Sequence, residues 1–467
     1  MRAGPWLAAA ALAILAFATP AAAEPITKSD YTLEYFQGPV TSSSRVIGLA
    51  GAFTAIAEWC EGEYANAASP AARPRSSLRA FDYDLCLGFT TPGAFGGNDF
   101  ENAGSQSKSS RFLDSTTLNL GLQIIYRMFG ATLNFDAYTL GVVTGGPAAT
   151  RTDIGINRFT TSAAVSLLGG QLLLGAGMRT ASLVVDETLG DATAREIDRG
   201  GVGFQLGAIA APHSLPFRVG FTARGPIAID GTEGQAGGKI LPQRIVLPWE
   251  LEVGGALELG ARTFNTAWVD PAIEEDVIRA RYRSRIRARL DQRNRILAAT
   301  PPAERKQKKE ALERADKAAD DKDDDEMDAE VAALRKWRTG MRHTEKRQTA
   351  ILMASLLFTG AVANAVSITG FIDQQRIPYG GRLSVSPRIG LEGELIKNWV
   401  MVRAGSYLEP SLFADVPYRA HFTGGFDLKL FVFNPFGIFG ADPWRIRVAV
   451  DVASRYFNTS FSLGKYY

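Results

Sequence analysis

Residues that carry chemistry are scarce in this chain. Across 467 residues there are two cysteines, Cys60 and Cys86, and three histidines, His213, His343 and His421. No His-Glu-x-x-His and no P-loop occurs, which removes the common zinc-hydrolase and nucleotide-binding readings. Gly48-x-x-Gly51 lies in a stretch too rich in small residues, and wrongly placed, for a dinucleotide fold. The formal net charge is only +2, so no basic excess suggests a nucleic-acid partner. Catalytic residues, metal ligands and cofactors are accordingly expected to be absent, and the chain is read as a non-enzyme. His421 is the one histidine placed to act as a base, and a lone histidine at a strand rim reads more simply as a polar loop-end residue.

Long apolar runs are few as well. Trp6 to Ala18 is uncharged, follows Arg2, and leads to Ala21-Ala22-Ala23 before Glu24. That order of positive, apolar and small residues is the plan of a secretory signal peptide over 1–23. The run is shorter than the roughly 20 residues a spanning helix needs, and no cysteine follows the small residues to carry a lipid. A second uncharged stretch, Thr349 to Ile372, is long enough for a membrane helix, although Asn364, Gly360 and several hydroxyl residues weaken that reading. In an exported chain, Cys60 and Cys86 read either as a disulfide or as two separate buried thiols; spacing does not decide between them.

What the chain has is alternation. Leu118, Leu120, Leu122, Ile124, Tyr126 and Met128 alternate with Asn119, Gly121, Gln123, Ile125 and Arg127. Trp444, Ile446, Val448, Val450 and Val452 alternate with Arg445, Arg447, Ala449, Asp451 and Ala453. Period two places one greasy face opposite a different one, and runs of about ten residues suit a tilted strand crossing a bilayer. Fourteen strands are predicted: 79–90, 115–128, 130–144, 159–169, 170–185, 201–212, 216–228, 246–259, 349–360, 382–396, 398–410, 420–433, 443–454 and 457–466. An even count, with tight connections at Phe129-Gly130, Gly169-Gly170, His213 to Leu215 and Lys397 alternating with gaps at 91–114, 186–200, 229–245 and 361–381, predicts an all-β, antiparallel transmembrane barrel in a bacterial outer membrane. Pro387 predicts a bulge or an irregular edge. The last strand ends at Tyr466-Tyr467, and Lys465 is expected to snorkel to the headgroups. The barrel would occupy 79–260 and 349–467.

Residues 261–348 differ. Ile278, Tyr282, Ile286 and Leu290 recur every four positions among charges, Pro301-Pro302 interrupts, and a second charged stretch starts at Ala303. This predicts a charged helical hairpin inserted on the periplasmic side. It reads as a salt-bridged pair, as a docking arm for a periplasmic protein, or as a calcium site at Asp320 to Glu326. That last cluster lacks the loop glycine and terminal glutamate of an EF-hand.

Between the signal peptide and the first strand lies Ser42-Ser43-Ser44-Arg45-Val46-Ile47-Gly48-Leu49-Ala50-Gly51-Ala52-Phe53-Thr54-Ala55-Ile56-Ala57-Glu58, followed by Asn66 and Ser69-Pro70-Ala71. This resembles the N-terminal hatch of the FadL-type outer-membrane transporters of hydrophobic compounds such as long-chain fatty acids. Gly203 to Gly207, Arg218 to Arg224 and Leu241 to Leu251 look like strands and an outer-loop passage of the same family. Asn66 and Pro70 are separated here, where the family joins them in one turn. The resemblance implies a hatch over 24–78 built on Gly48, Gly51, Ala52, Phe53, Asn66 and Pro70. It also implies a plugged barrel with an apolar cavity, an apolar small-molecule ligand, and surrounding outer-membrane lipid. A runner-up resemblance, to PorV-like barrels, implies a scaffold for secretion or surface assembly instead.

Overall fold

The computed structural model describes residues 23–34, 38–73, 77, 80–93, 98–104, 115–144, 150–190, 192–236, 238–260, 264–265, 268, 270–344, 350–434 and 442–465. All but the last residue of the 1–23 signal-peptide reading, and the Tyr466-Tyr467 end, lie outside them.

Fourteen strands close on themselves. In chain order they are β1 (Phe81–Pro92), β2 (Ser115–Tyr126), β3 (Phe129–Thr144), β4 (Thr150–Leu167), β5 (Leu172–Leu189), β6 (Ala192–Ala210), β7 (Phe217–Arg224), β8 (Glu250–Glu258), β9 (Ala350–Thr359), β10 (Ser384–Ile396), β11 (Val400–Glu409), β12 (Arg419–Phe433), β13 (Asp442–Ala453) and β14 (Tyr456–Lys465). Each pairs antiparallel with its sequence neighbour. β14 closes the ring on β1, with Phe461 opposite Phe89 and Leu463 opposite Leu87. Closure removes both sheet edges, so the backbone is hydrogen-bonded in any solvent. Large apolar side chains stand exposed on the outside, among them Leu118, Leu120, Leu133, Phe204, Leu206, Phe221, Val253, Leu356, Ile389, Phe422 and Phe461. Their alternate neighbours Asn119, Asn134, Gln205, Thr222, Glu252 and Ser462 are buried inside. A greasy exterior on this scale suits hydrocarbon rather than water.

The wall is uneven, and here the expected elements change. β4, β5 and β6 run well beyond 159–169, 170–185 and 201–212. The supposed outer loop 186–200 is mostly strand, with β5 and β6 joined through Gly190. Polar and charged residues there hid the strands, because these ends do not face lipid; only a few positions, Ile154, Ile156 and Ile197, turn to an apolar core. The connection between β13 and β14 is also tight, so short turns are not confined to one end. β7 stops at Arg224, short of the expected 228, and the chain turns inward after Gly225-Pro226. Ile227–Asp230 pairs with Arg244–Leu247, which lies parallel to Thr32–Glu34, itself parallel to Ala365–Val366. This four-stranded sheet stands inside the barrel against β3 to β6. An apolar cluster joins the two, with Tyr138, Leu140, Ile154, Ile156, Leu183, Val185 and Ile197 on the wall and Leu33, Ile227, Ile229, Ile245 and Leu247 on the sheet.

The described part of the uncharged stretch, 350–372, is not one helix; it holds β9, the short strand Ala365–Val366 and a five-residue helix, Ile368–Ile372. Among the described residues no helix is long and apolar enough to cross a membrane. Pro387 makes no bulge: pairing of β9 with β10 runs unbroken through Leu356 and Pro387, and pairing with β11 starts one residue later at Arg388. The missing N–H thus falls just past the end of one ladder. The register shift lies instead at Glu394 and Ile396. Lys465 does not snorkel outward. Its Nζ donates to the Tyr83 carbonyl at 2.9 Å, near Asp82, where a carboxylate and a π face replace the headgroups.

Residues 271–344 form two antiparallel helices, α1 (Pro271–Ala299) and α2 (Arg305–Thr344). Ile278 and Tyr282 pack against Val331, Met327 and Leu334. Beyond that short apolar contact the seam is ionic: Arg281 meets Glu330, Arg285 and Arg289 meet Asp323, and Arg293 meets Asp316. Asp320 and Asp323 of the acidic run are thereby engaged by arginines.

Candidate functional site

The N-terminal segment lies inside the barrel, and the six residues of the hatch-like pattern are strung along it, Gly48 and Gly51 against β10 to β12, Asn66 against β6 and β7, and Pro70 against β2 and β3. Ser44–Gly48 is a single helical turn. Gly48 sits against Arg403 of β11 and Gly425 of β12, and Gly51 takes φ +76° beside Arg388 of β10. Ala52 and Phe53 are buried in an apolar cluster with Val46, Leu49, Ile56 and Ala68, and the Arg45 guanidinium lies over the Phe53 ring. Pro70 lies in the short 3-10 turn Ser69–Ala71, its carbonyl accepting from Gln123.

Asn66 is the pivot. Its side-chain N–H₂ faces the carbonyls of Thr54 (3.0 Å), Ala208 of β6 (3.1 Å) and Phe221 of β7 (3.2 Å), while its Oδ1 accepts from the Ala68 amide (3.0 Å). One side chain therefore ties two parts of the segment to two strands. Backbone meets backbone at Gly175, where a Cβ would lie 2.0 Å from the Ala67 carbonyl oxygen, and at Gly220, where it would lie 2.3 Å from that of Thr54. Only glycine allows such contact.

Ion pairs complete the docking. Arg45 donates to both oxygens of Glu392 (2.9 and 2.7 Å) and to Glu58. Glu392 is also engaged by Arg403, which in turn grips Asp427; Asp427 accepts from Arg445 at 3.0 Å. Arg447 reaches back to Glu61 of the segment at 2.5 Å. Cys60 and Cys86 of β1 have Cα atoms 6.3 Å apart and their sulfurs are bonded; Asp84 accepts from the Cys60 amide at 3.2 Å. His421 is saturated: Nδ1 faces Asp451 at 2.8 Å, Nε2 faces Glu409 at 2.7 Å, and Tyr407 stacks on its ring at 4.2 Å. With both nitrogens bound to carboxylates, the ring acts as a tie between β11, β12 and β13.

Above the segment is a cavity of about 170 Å³. It is not the apolar one expected. Arg158, Arg179, Arg224 and Arg388 line it with Glu63, Asp136, Glu250, Glu252 and Glu409, while Val40, Val46, Ile227, Leu357 and Leu412 supply the greasy part. The polar residues come from inward positions of long strands whose outward neighbours dominated the alternation. Most are matched: Arg224 pairs with Glu250 and donates to the Tyr64 and Ala65 carbonyls, Glu252 accepts from Ser355, and Glu63 from Ser162 and Gln205. Arg158 and Arg388 each leave Nε unpartnered but sit within ion-pair distance of Asp136 and Glu252; Arg179 differs from them. Among the described residues its Nη1 is buried without a hydrogen-bond partner, and no carboxylate forms an ion pair with it. Sequence reasoning missed this group; an arginine at an inward position of β5 was the available signal.

No family model matches this chain, and neither does any curated protein. Solved structures do resemble it. A Pseudomonas aeruginosa FadL homologue is 12% identical, with 92% of this chain and 98% of that one covered, at a TM-score of 0.48. The Pseudomonas putida toluene transporter TodX is 11% identical, covering 92% and 99%, also at 0.48. The CymD monoaromatic hydrocarbon channel is 10% identical, covering 92% and 97%, at 0.44.

Proposed function

We propose that this barrel carries hydrophobic molecules with an acidic head, such as long-chain fatty acids, across a bacterial outer membrane, with the N-terminal segment as its hatch. The observation that carries this reading is Arg179. Its buried Nη1 has no hydrogen-bond partner among the described residues, although Glu250 and Glu63 lie close enough to attract the charge; a buried charged donor left unpaired costs about 1–3 kcal/mol or more, and a ligand carboxylate entering the cavity would supply the missing partner. Ile227 lines the same cavity and belongs to the apolar cluster between wall and inner sheet. A hydrocarbon tail thus has a greasy seam leading to the place where its head would pair. An aqueous pore offers a tail no such environment.

Replacing Arg179 by leucine tests this. Uptake of a long-chain fatty acid into cells making the variant is expected to fall about tenfold or more, the loss of one charge-assisted hydrogen bond. Uptake of an uncharged alkylbenzene should be unchanged. Equal uptake of both by variant and wild type would remove the acidic head from the proposal; loss of both would mean that Arg179 only holds the wall.

A further inference from the structure

The described residues between β8 and α1 grip the underside of the N-terminal segment and the barrel turns. Phe264 packs against the segment's own apolar cluster, with the Arg218 guanidinium 4.2 Å from its ring centroid. Asn265 is 3% exposed. Its side-chain N–H₂ faces three carbonyls of the turn between β6 and β7, Pro212 (2.9 Å), Leu215 (3.0 Å) and Phe217 (2.8 Å), while its Oδ1 accepts from Arg218 Nε (2.8 Å). Trp268 donates to the Ser77 carbonyl at 3.0 Å, and Arg73 lies over its ring at 4.1 Å. Arg73 and Ser77 belong to the stretch that leaves the segment, directly after Ala71 and Ala72. Asp270 then accepts from the Ala272 amide, starting α1, and pairs with Arg127 in the turn between β2 and β3 (3.3 Å).

The contacts therefore pass from the β6–β7 turn, through the exit of the N-terminal segment, to the β2–β3 turn, four strands around the wall. They end on the first residues of the hairpin. A loop that merely joined β8 to β9 would need neither a buried asparagine shared among three carbonyls nor contacts with residues 73 and 77.

We propose that Phe264, Asn265, Trp268 and Asp270 are a periplasmic latch: they hold the N-terminal segment in its closed position and connect that closure to the helical hairpin. The hairpin is the handle. Its first turn is fixed by the same Asp270 that pairs with the barrel rim, so a pull on α1 and α2 acts first on Asp270 and Trp268. Release of Trp268 from Arg73, which then keeps its bonds to the Ala80 and Ile125 carbonyls, loosens the C-terminal end of the segment, where Asn66 to Ala72 lies against β2 to β7. A periplasmic partner that engages the hairpin would thus set when the barrel opens on its inner side.

Hydrogen exchange on the full chain in detergent tests the latch without any ligand, so it stands or falls apart from the transport reading. In Trp268→Ala and in Asn265→Ala, the amides of residues 66–72 are expected to exchange about tenfold faster than in the wild type, while those of β10 to β13 keep their protection. Unchanged exchange at 66–72 in both variants overturns the latch, and so does a uniform rise across the barrel, which would show a general loss of stability. Replacing residues 274–341 by a short glycine-serine turn tests the handle. A handle can be removed without opening the latch, so 66–72 should stay protected; loss of protection there would make the hairpin a support and overturn that part of the proposal.

Discussion

Replacing Arg403 by methionine is expected to destabilise the folded barrel by about 3–5 kcal/mol, the loss seen when one partner leaves a buried ion pair. Arg403 has a side chain 1% exposed and stands between Glu392 and Asp427, which are equally buried. The network around it is neutral: Arg45, Arg403, Arg445 and Arg447 give four positive charges, and Glu58, Glu61, Glu392 and Asp427 give four negative. It begins and ends on the N-terminal segment, at Arg45 with Glu58 and at Glu61, and crosses β10 to β13 between them. Methionine fills much the same space yet leaves two carboxylates facing a single charge fewer. The measurement is urea unfolding in lipid vesicles, or the temperature at which the barrel loses its fast gel mobility. Because the groups act together, Arg403→Met with Asp427→Asn should cost less than the sum of the single changes. A single variant within about 0.5 kcal/mol of the wild type, the scatter of ordinary surface substitutions, would mean that water reaches this network.

The second large effect is on pH. Glu34 lies in the inner sheet, 1% exposed, and neither carboxylate oxygen has a hydrogen-bond partner among the described residues. Burial, helped by the charge of Glu101 nearby, pushes its carboxyl up to about 8. Glu101 is itself raised by burial, although the amides of Ile368 and Thr369 hold it back. With the folded value above the unfolded one, the folded state retains its proton where the unfolded chain has lost it. The stability Glu34 contributes is therefore full below about pH 4.5, declines as pH rises, and is gone above about 8; linkage puts the total at roughly 3–5 kcal/mol. Melting temperatures of wild type and Glu34→Gln should differ in slope between pH 5 and 9, with the variant flatter. Parallel slopes would show that Glu34 is ionised and paired in the folded protein. The inner sheet, which carries Ile227 at the cavity, is the part expected to loosen first.

The barrel was legible in the sequence because lipid and lumen impose opposite demands on alternate residues, and that alternation survives wherever a strand crosses hydrocarbon. It fades where strands rise above the membrane, and so the ends of β4, β5 and β6 read as loop. The inward turn at Gly225-Pro226 left a trace, two residues poor at continuing a strand, but nothing local says that the sheet entered there is joined, through Arg244–Leu247, to Thr32–Glu34 about two hundred residues earlier. The small residues from Gly48 to Phe53, with Asn66 and Pro70, marked the segment that enters the barrel. Their spacing could not show which glycines of the wall receive it. Arg179, the group that now carries the functional reading, looked like any inward polar residue. Its lack of a partner is a property of the folded chain alone. Asn265 was equally silent, a single asparagine whose three acceptors lie in a turn about fifty residues away.

Native mass spectrometry with solvent extraction, on protein purified in mild detergent from outer membranes, tests the central claim most directly. A molecule with an apolar chain and an acid head should co-purify, retained by the wild type and lost from Arg179→Leu. An empty barrel, or one that holds a protein on its helical hairpin and no small molecule inside, would contradict it.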